Sequence, residues 1–193
     1  MSPGFVSYFI DGQYYTNLQR DLGVFFDLRR FLVESQEWLV GKTSQSLELV
    51  HSLYYDALPP LENGNREFYQ KRLGYFNFLK TIPGVRVREG RVVRNRDSSG
   101  NVWYQQKQVD LLLGLDIAEE CSKGFLTHLV LVAGDSDFCP AVEFASKRGV
   151  QTLLVHGLKG APNSNYSDQL WTLADQRLEI DLDFASRVKK EDA

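Results

Sequence analysis

Residues 5–10 (FVSYFI) are aromatic and β-branched and end at Asp11-Gly12, which predicts a strand closed by a turn. The mixed apolar and polar stretch over 17–40 then predicts helix. Strand composition returns over 47–55 (LELVHSLYY), closed by Pro59-Pro60, and within 66–80 the apolar residues Tyr69, Leu73, Phe76 and Leu79 recur at helical spacing. After Pro83-Gly84 comes the alternating run VRVREGRVVRNR, then a turn signal at Asp97-Ser98-Ser99-Gly100 and a return through Val102-Trp103-Tyr104. That pattern predicts an exposed β-excursion.

The second half is more apolar. Residues 109–123 carry few polar positions apart from Asp110, Asp116 and Glu119-Glu120, which predicts a deeply buried helix stopped at Gly124. The run LVLVA over 129–133 has the continuity of a strand covered on both faces of a parallel sheet, and Gly134-Asp135-Ser136-Asp137 follows it at once. A helix is predicted over 138–148, with Pro140 in its first turn and Gly149 as its stop, then a second buried strand over 150–155. A polar loop over 161–168, a closing helix or strand over 170–182 and a flexible tail over 185–193 complete the reading. Alternating strands and helices predict the α/β class, one domain over 1–193 with a doubly wound, mostly parallel sheet. Ligands of such sheets bind at the carboxyl edge, near a switch in strand order.

Composition narrows the function classes. With 193 residues and 43% hydrophobic content the chain can bury one core. A net charge of −3 argues against coating nucleic acid by charge alone and leaves a local basic groove open. The apolar residues 5–10 lack a basic segment before them and a cleavage site after them, and no segment has the length of a membrane span. Cys121 and Cys139 have neither disulfide-framework nor zinc-site spacing, and His51, His128 and His156 are far apart. A cytoplasmic protein without membrane contact is expected.

Four acids are candidates for chemistry. Asp11, Asp135 and Asp137 follow predicted strands directly, and Asp110 opens a predicted helix, so all four can converge at the carboxyl edge. Crowded carboxylates repel one another, a cost that a cation offsets, and oxygen donors suit Mg²⁺ or Mn²⁺. Such an ion activates water and neutralises phosphate charge, so phosphodiester hydrolysis is the natural reaction. Singly, each acid has a plainer reading: Asp137 and Asp110 as helix caps, Asp11-Gly12 as a turn. Only the set of four is persuasive. Asp116 lies about 9 Å along the helix axis from Asp110, too far to share an ion, and is either a hydrogen-bonded structural acid or a support for a ligand. Arg86, Arg88, Arg91, Arg94 and Arg96, with Trp103, Tyr104 and Lys107 on the return, form either a phosphate-binding wall with an aromatic for base stacking or a solvated edge whose charges block aggregation.

FIDG over 9–12, YYDA from Tyr54, KQVDLLLGLD over 107–116 and above all LVLVAGDSDFCPAVEFASKRGV over 129–150 resemble the NYN domain, the LabA-like branch of the PIN-like nuclease superfamily. The resemblance runs in order over most of the chain. It implies a Rossmann-like three-layer α/β/α fold and a metal-dependent endoribonuclease or RNA-processing activity. Asp11, Asp110, Asp135 and Asp137 match the family's acidic site, while Ser136 and Asp116 match recurrent positions that are not catalytic. One departure stands out: members often carry Asn three residues after the first Asp, where this chain has Tyr14, with Asn17 one turn later. If that Asn holds a water or a ligand, its replacement weakens metal binding or leaves an RNA-binding or regulatory relative.

The leading expectation is a Mg²⁺- or Mn²⁺-dependent ribonuclease. In it Asp11, Asp110 and Asp135 hold the metal, Asp137 orients a water and residues 86–96 grip RNA. A non-catalytic adaptor is the alternative, and the possibility of a homodimer is left open. A phosphatase of the haloacid dehalogenase type needs a second Asp two residues after its nucleophile, and Asp11 is followed there by Gln13.

Overall fold

A computed structural model of the chain describes residues 3–61, 65–97, 99 and 102–191, without the side chains of 102, 103 and 105–107. The apolar run at the start forms β1 (Gly4–Asp11), and α1 (Gly12–Leu22) and α2 (Leu28–Thr43) follow. The single helical stretch expected over 17–40 is thus two helices. Gly23 ends α1 in the left-handed conformation (φ 65), and Asp27 caps α2 by accepting from the amides of Arg29 and Arg30. Next come β2 (Leu47–Asp56) and α3 (Arg66–Lys80), the latter with the bounds its periodicity predicts.

The expected β-excursion divides. Its first part, β3 (Val85–Glu89), joins the main sheet beside β2, because Val85 and Val87 pack into the core. Only β4 (Arg91–Arg96) and β5 (Val102–Lys107) form a separate antiparallel hairpin. Ser98 and Gly100 of the predicted turn, and the Trp103 side chain, lie outside the described residues.

The chain then forms α4 (Val109–Ser122), β6 (His128–Val132), a 3-10 turn (Ser136–Phe138), α5 (Cys139–Lys147) and β7 (Gln151–His156). It ends with α6 (Asp168–Leu173), β8 (Gln176–Glu179) and α7 (Leu182–Val188). Helix α4 is less buried than its composition predicts. Val109, Leu113 and Ile117 face the sheet, whereas Leu111 and Leu115 are 63% and 56% exposed. The expected flexible tail is docked over its first residues: Ala185 and Val188 are buried, and Lys189 makes an antiparallel bridge to Phe26.

The six strands of the main sheet run parallel in the order β3-β2-β1-β6-β7-β8. Side chains alternate across it into two cores. Tyr8, Ile10, Val130, Val132 and Val155 face α1, α2, α3 and α7; Phe9, Leu129, Leu131 and Leu154 face α4, α5 and α6. The result is a Rossmann-like three-layer α/β/α fold, as expected. Among the described residues no helix is long and apolar enough to cross a membrane.

Candidate active site

From β1 the chain winds outward through β2 to β3, and from β6 outward the other way through β7 to β8, so strand order reverses between β1 and β6. Ile10 of β1 pairs with Val132 of β6, and both strands point to the same edge. That edge is the crevice where open parallel sheets bind ligands, and Asp11 and Asp135 leave it from the two sides.

Each acid is fixed locally. Asp11 caps α1, its Oδ1 accepting from the amides of Gln13 (2.9 Å) and Tyr14 (3.1 Å). Asp135 caps the 3-10 turn, its Oδ1 accepting from the Asp137 amide (3.0 Å) and the Ser136 hydroxyl (3.4 Å). The capping role expected for Asp137 therefore belongs to Asp135, and Asp137 lies exposed inside the turn. Asp110 sits in the first turn of α4 rather than at its cap, which is Gln108 in the left-handed region (φ 73). A non-glycine residue there is uncommon, and it turns β5 directly into α4.

The four carboxylates interact. Burial pushes Asp11 up to about 6, partly offset by its amide bonds, and the charges of Asp110 and Asp135 raise it further. Asp110 is raised by burial and then by Asp135 and Asp137. Among the described residues no three His, Cys, Asp or Glu side chains form a ready cage for a metal ion. Donors that share charge without enclosing a site suit a hard ion that keeps most of its water and takes one or two carboxylates.

Glycines bring the backbone close. A Cβ at Gly12 would fall 2.6 Å from the Tyr54 ring and 2.7 Å from Asp56 Oδ2, and one at Gly134 would collide with Asn165 O and the Tyr14 ring. Asp56 ends β2 as Asp11 ends β1, is 1% exposed and pairs with Arg72 of α3. The sequence reading missed it, although YYDA places an acid at a strand end just as FIDG does. Tyr14 was noticed only as a departure. Its hydroxyl donates to Ser164 O (2.8 Å) and accepts from the Gly157 amide (3.1 Å), so it ties the loop after β7 to the floor of the site. Asn17 does not stand in for the missing asparagine: its Nδ2 donates to Asn163 O (3.0 Å) of that same loop.

Asp116 and the arginine wall are placed differently from the four acids. Asp116 accepts from Arg88 Nε and Nη2 (2.8 Å each) and from the Tyr55 hydroxyl (2.9 Å), a structural bridge between α4 and the sheet. Arg88 is therefore engaged within the fold, with its side chain 44% exposed. Arg86 shares β3, where its charge lowers the pKa of His51 behind burial and the opposing effect of Glu120. Arg91, Arg94 and Arg96 lie exposed on the hairpin, and the register sets Arg91 opposite Lys107.

Two solved structures are similar in part. One is described as a UDP-N-acetylglucosamine 2-epimerase from Listeria monocytogenes (11% identity, 93% of this chain, TM-score 0.45), and the chain spans 40% of its length. The other is the CheB methylesterase catalytic domain of Thermotoga maritima (11% identity, 97% of this chain and 98% of that one, TM-score 0.41). No curated protein matches. The model of the NYN domain matches residues 6–179, nearly the whole span from β1 to the end of β8, and the chain belongs to the NYN domain family.

Proposed function

We propose that this NYN protein is a ribonuclease of the PIN-like superfamily, LabA-like branch, that hydrolyses phosphodiester bonds of RNA with Mg²⁺ or Mn²⁺. The observation that carries the reading is Asp11 at the end of β1 and Asp135 after β6, on the two sides of the switch in strand order, with Asp110 near enough for its charge to act on Asp11. Three elements remote in sequence supply these acids at the switch in strand order, and their repulsion is what a divalent cation relieves. Asp11, Asp110 and Asp135 would hold the ion, one or two of them directly and the rest through its bound water, and when bound it lowers the pKa of water and neutralises phosphate charge. Asp137, exposed in the turn beside them, orients the attacking water and takes its proton. The hairpin residues Arg91, Arg94 and Arg96, with Lys107, hold the RNA backbone, and the site works in the cytoplasm.

A second reading has one observation in its favour. Tyr14 fills the position where relatives often carry Asn, and its hydroxyl is committed to Ser164 and Gly157. A protein that lost a ligand-holding amide there would keep the fold and act as an RNA-binding adaptor.

Calorimetric titration of Mn²⁺ into the protein and its Asp135→Asn variant, with RNA cleavage followed in parallel, separates the two. Asn caps a helix as well as Asp, so the variant keeps its turn. Binding and cleavage both lost in the variant support the nuclease; a parent that neither binds Mn²⁺ nor cleaves leaves the adaptor.

A further inference from the structure

On the face of the sheet covered by α1, α2, α3 and α7, a groove of about 1020 Å³ begins one turn along α1 from the acid edge. Its lining includes Thr16, whose hydroxyl bonds Gly12 O (2.8 Å), and Arg72, which pairs with Asp56 beside Gly12. It continues past Arg20 to the α1–α2 junction and the residues after α7. There the Phe26–Lys189 bridge and the bond from the Lys190 amide to Phe25 O (2.7 Å) hold Lys189 and Lys190 against the junction. Phe25 projects at 78% exposure, and Tyr75 forms part of the wall.

Charge in this groove runs against the molecule. The chain carries net −3, yet the lining holds Arg20, Lys189 and Lys190, beside an Arg72 whose charge Asp56 offsets, against one acid, Glu191. Glu191 is neutralised by Arg30, and the nearby Asp27 is occupied in capping α2. Cations spaced along a track with an exposed aromatic ring are what a single nucleic-acid strand needs: phosphates pair with the cations and a base stacks on the ring. From Thr16 to Gly23, α1 gives the track about 10 Å, room for more than one nucleotide.

We propose that this groove carries a single strand of RNA, with Arg20, Lys189 and Lys190 on its phosphates and a base stacked on Phe25, and so leads the strand to the carboxylate edge. The assignment deepens the ribonuclease reading and rests on it for direction, since Arg72 and Thr16 connect the groove to the segment that starts at Asp11.

The test is binding of a short fluorescein-labelled oligouridylate to the full chain in EDTA, where no metal-dependent cleavage occurs. Lys189→Ala with Lys190→Ala should reduce the salt slope of log K by about 1.4, two single-strand phosphate contacts, and Phe25→Ala should weaken binding about tenfold with little change in slope. These side chains are exposed, so melting temperatures should hold. Lys147→Ala with Arg148→Ala, at the C-terminal end of α5 across the sheet, should bind as the parent does. Parent-level binding in the groove variants overturns the proposal, and Mn²⁺-dependent cleavage then decides the nuclease reading separately. Failure of the parent to bind the oligonucleotide also overturns it; a polyglutamate peptide that binds instead, and is lost in the groove variants, assigns the groove to an acidic protein segment. Groove-dependent binding without cleavage in Mn²⁺ keeps the track and removes the nuclease.

Discussion

Arg88 grips Asp116 through two parallel hydrogen bonds of 2.8 Å, joining the edge strand β3 to α4. Removing one partner of such a pair leaves the other charge poorly compensated beside Tyr55. Because Arg88 is partly exposed, solvent screens the loss, and Arg88→Ala should cost about 2 kcal/mol. Asp116→Asn should likewise lower the denaturation midpoint while leaving Mn²⁺ titration at parent affinity. A variant with normal stability and no metal binding would move Asp116 into the site.

Asp11→Asn should act in opposite directions on stability and on binding. The carboxyl of Asp11 is raised to about 6, so in the folded protein it is ionised at pH 7 at a cost. The amide keeps the cap without the charge, and in EDTA the variant should be more stable by up to about 2 kcal/mol. It should also lose affinity for Mn²⁺. Denaturant melts in EDTA and in Mn²⁺ check both halves.

Acid should unfold the protein through its histidines. His51, His128 and His156 are buried, and burial is the first cause lowering each pKa below the usual value. A histidine whose folded pKa is lowered binds its proton more readily when unfolded, so stability is full above about 6.5 and declines as pH falls below it. Asp11 has the opposite sign, losing stability as pH rises from about 4 to 6. The Asp11→Asn variant should therefore lose stability more steeply on acidification than the parent, read from melting temperatures between pH 8 and 5.

Tyr14→Phe should separate the loop from the site. It leaves Ser164 O and the Gly157 amide without the hydroxyl in a buried setting, at a cost of about 1–3 kcal/mol. Hydrogen exchange should quicken over residues 157–167 before it changes elsewhere. Tyr14→Asn should not restore a ligand, because the side chain is 6% exposed and its ring packs against Gly134; the expected result is loss of stability without gain of cleavage.

Gly134→Ala should be costly for a different reason. The added methyl meets Asn165 O, a backbone atom that cannot rotate away, so β6 and the loop must part where Asp135 begins. A fall in both stability and Mn²⁺ affinity is expected, whereas Gly41→Ala, inside α2 with open space at its Cβ, should raise stability by up to about 1 kcal/mol and leave Mn²⁺ affinity unchanged.

What the sequence revealed follows from what is local. The apolar runs of β1, β6 and β7 and the periodicity of α3 give strand or helix because their neighbours in sequence decide it, and strand ends announce Asp11 and Asp135. The junction at Gly23 and Asp27 carried stop and start signals that the surrounding apolar pattern obscured. The remaining differences come from pairings across the chain. Nothing near Tyr14 announces a partner 150 positions away, and nothing in VRVREG says that Val85 and Val87 will find β2 while the next arginines do not. Asp56 was within reach, but the prolines after YYDA suggest only a strand end, and its partner Arg72 stands 16 positions further on.

The central position of β1 has a consequence for how the molecule is assembled. Its first partner, β2, arrives within a few dozen residues, but its other edge waits for β6; the bond between Phe5 and Thr127 closes a separation of 122 positions. Until then the apolar edge of β1 is unpaired, and closing so long a loop is slow. Asp11 is made with the early half, Asp110 and Asp135 with the late one. The four acids thus come together only once β6 has docked beside β1, and a chain stalled before that step, however helical, has no carboxylate cluster at this edge.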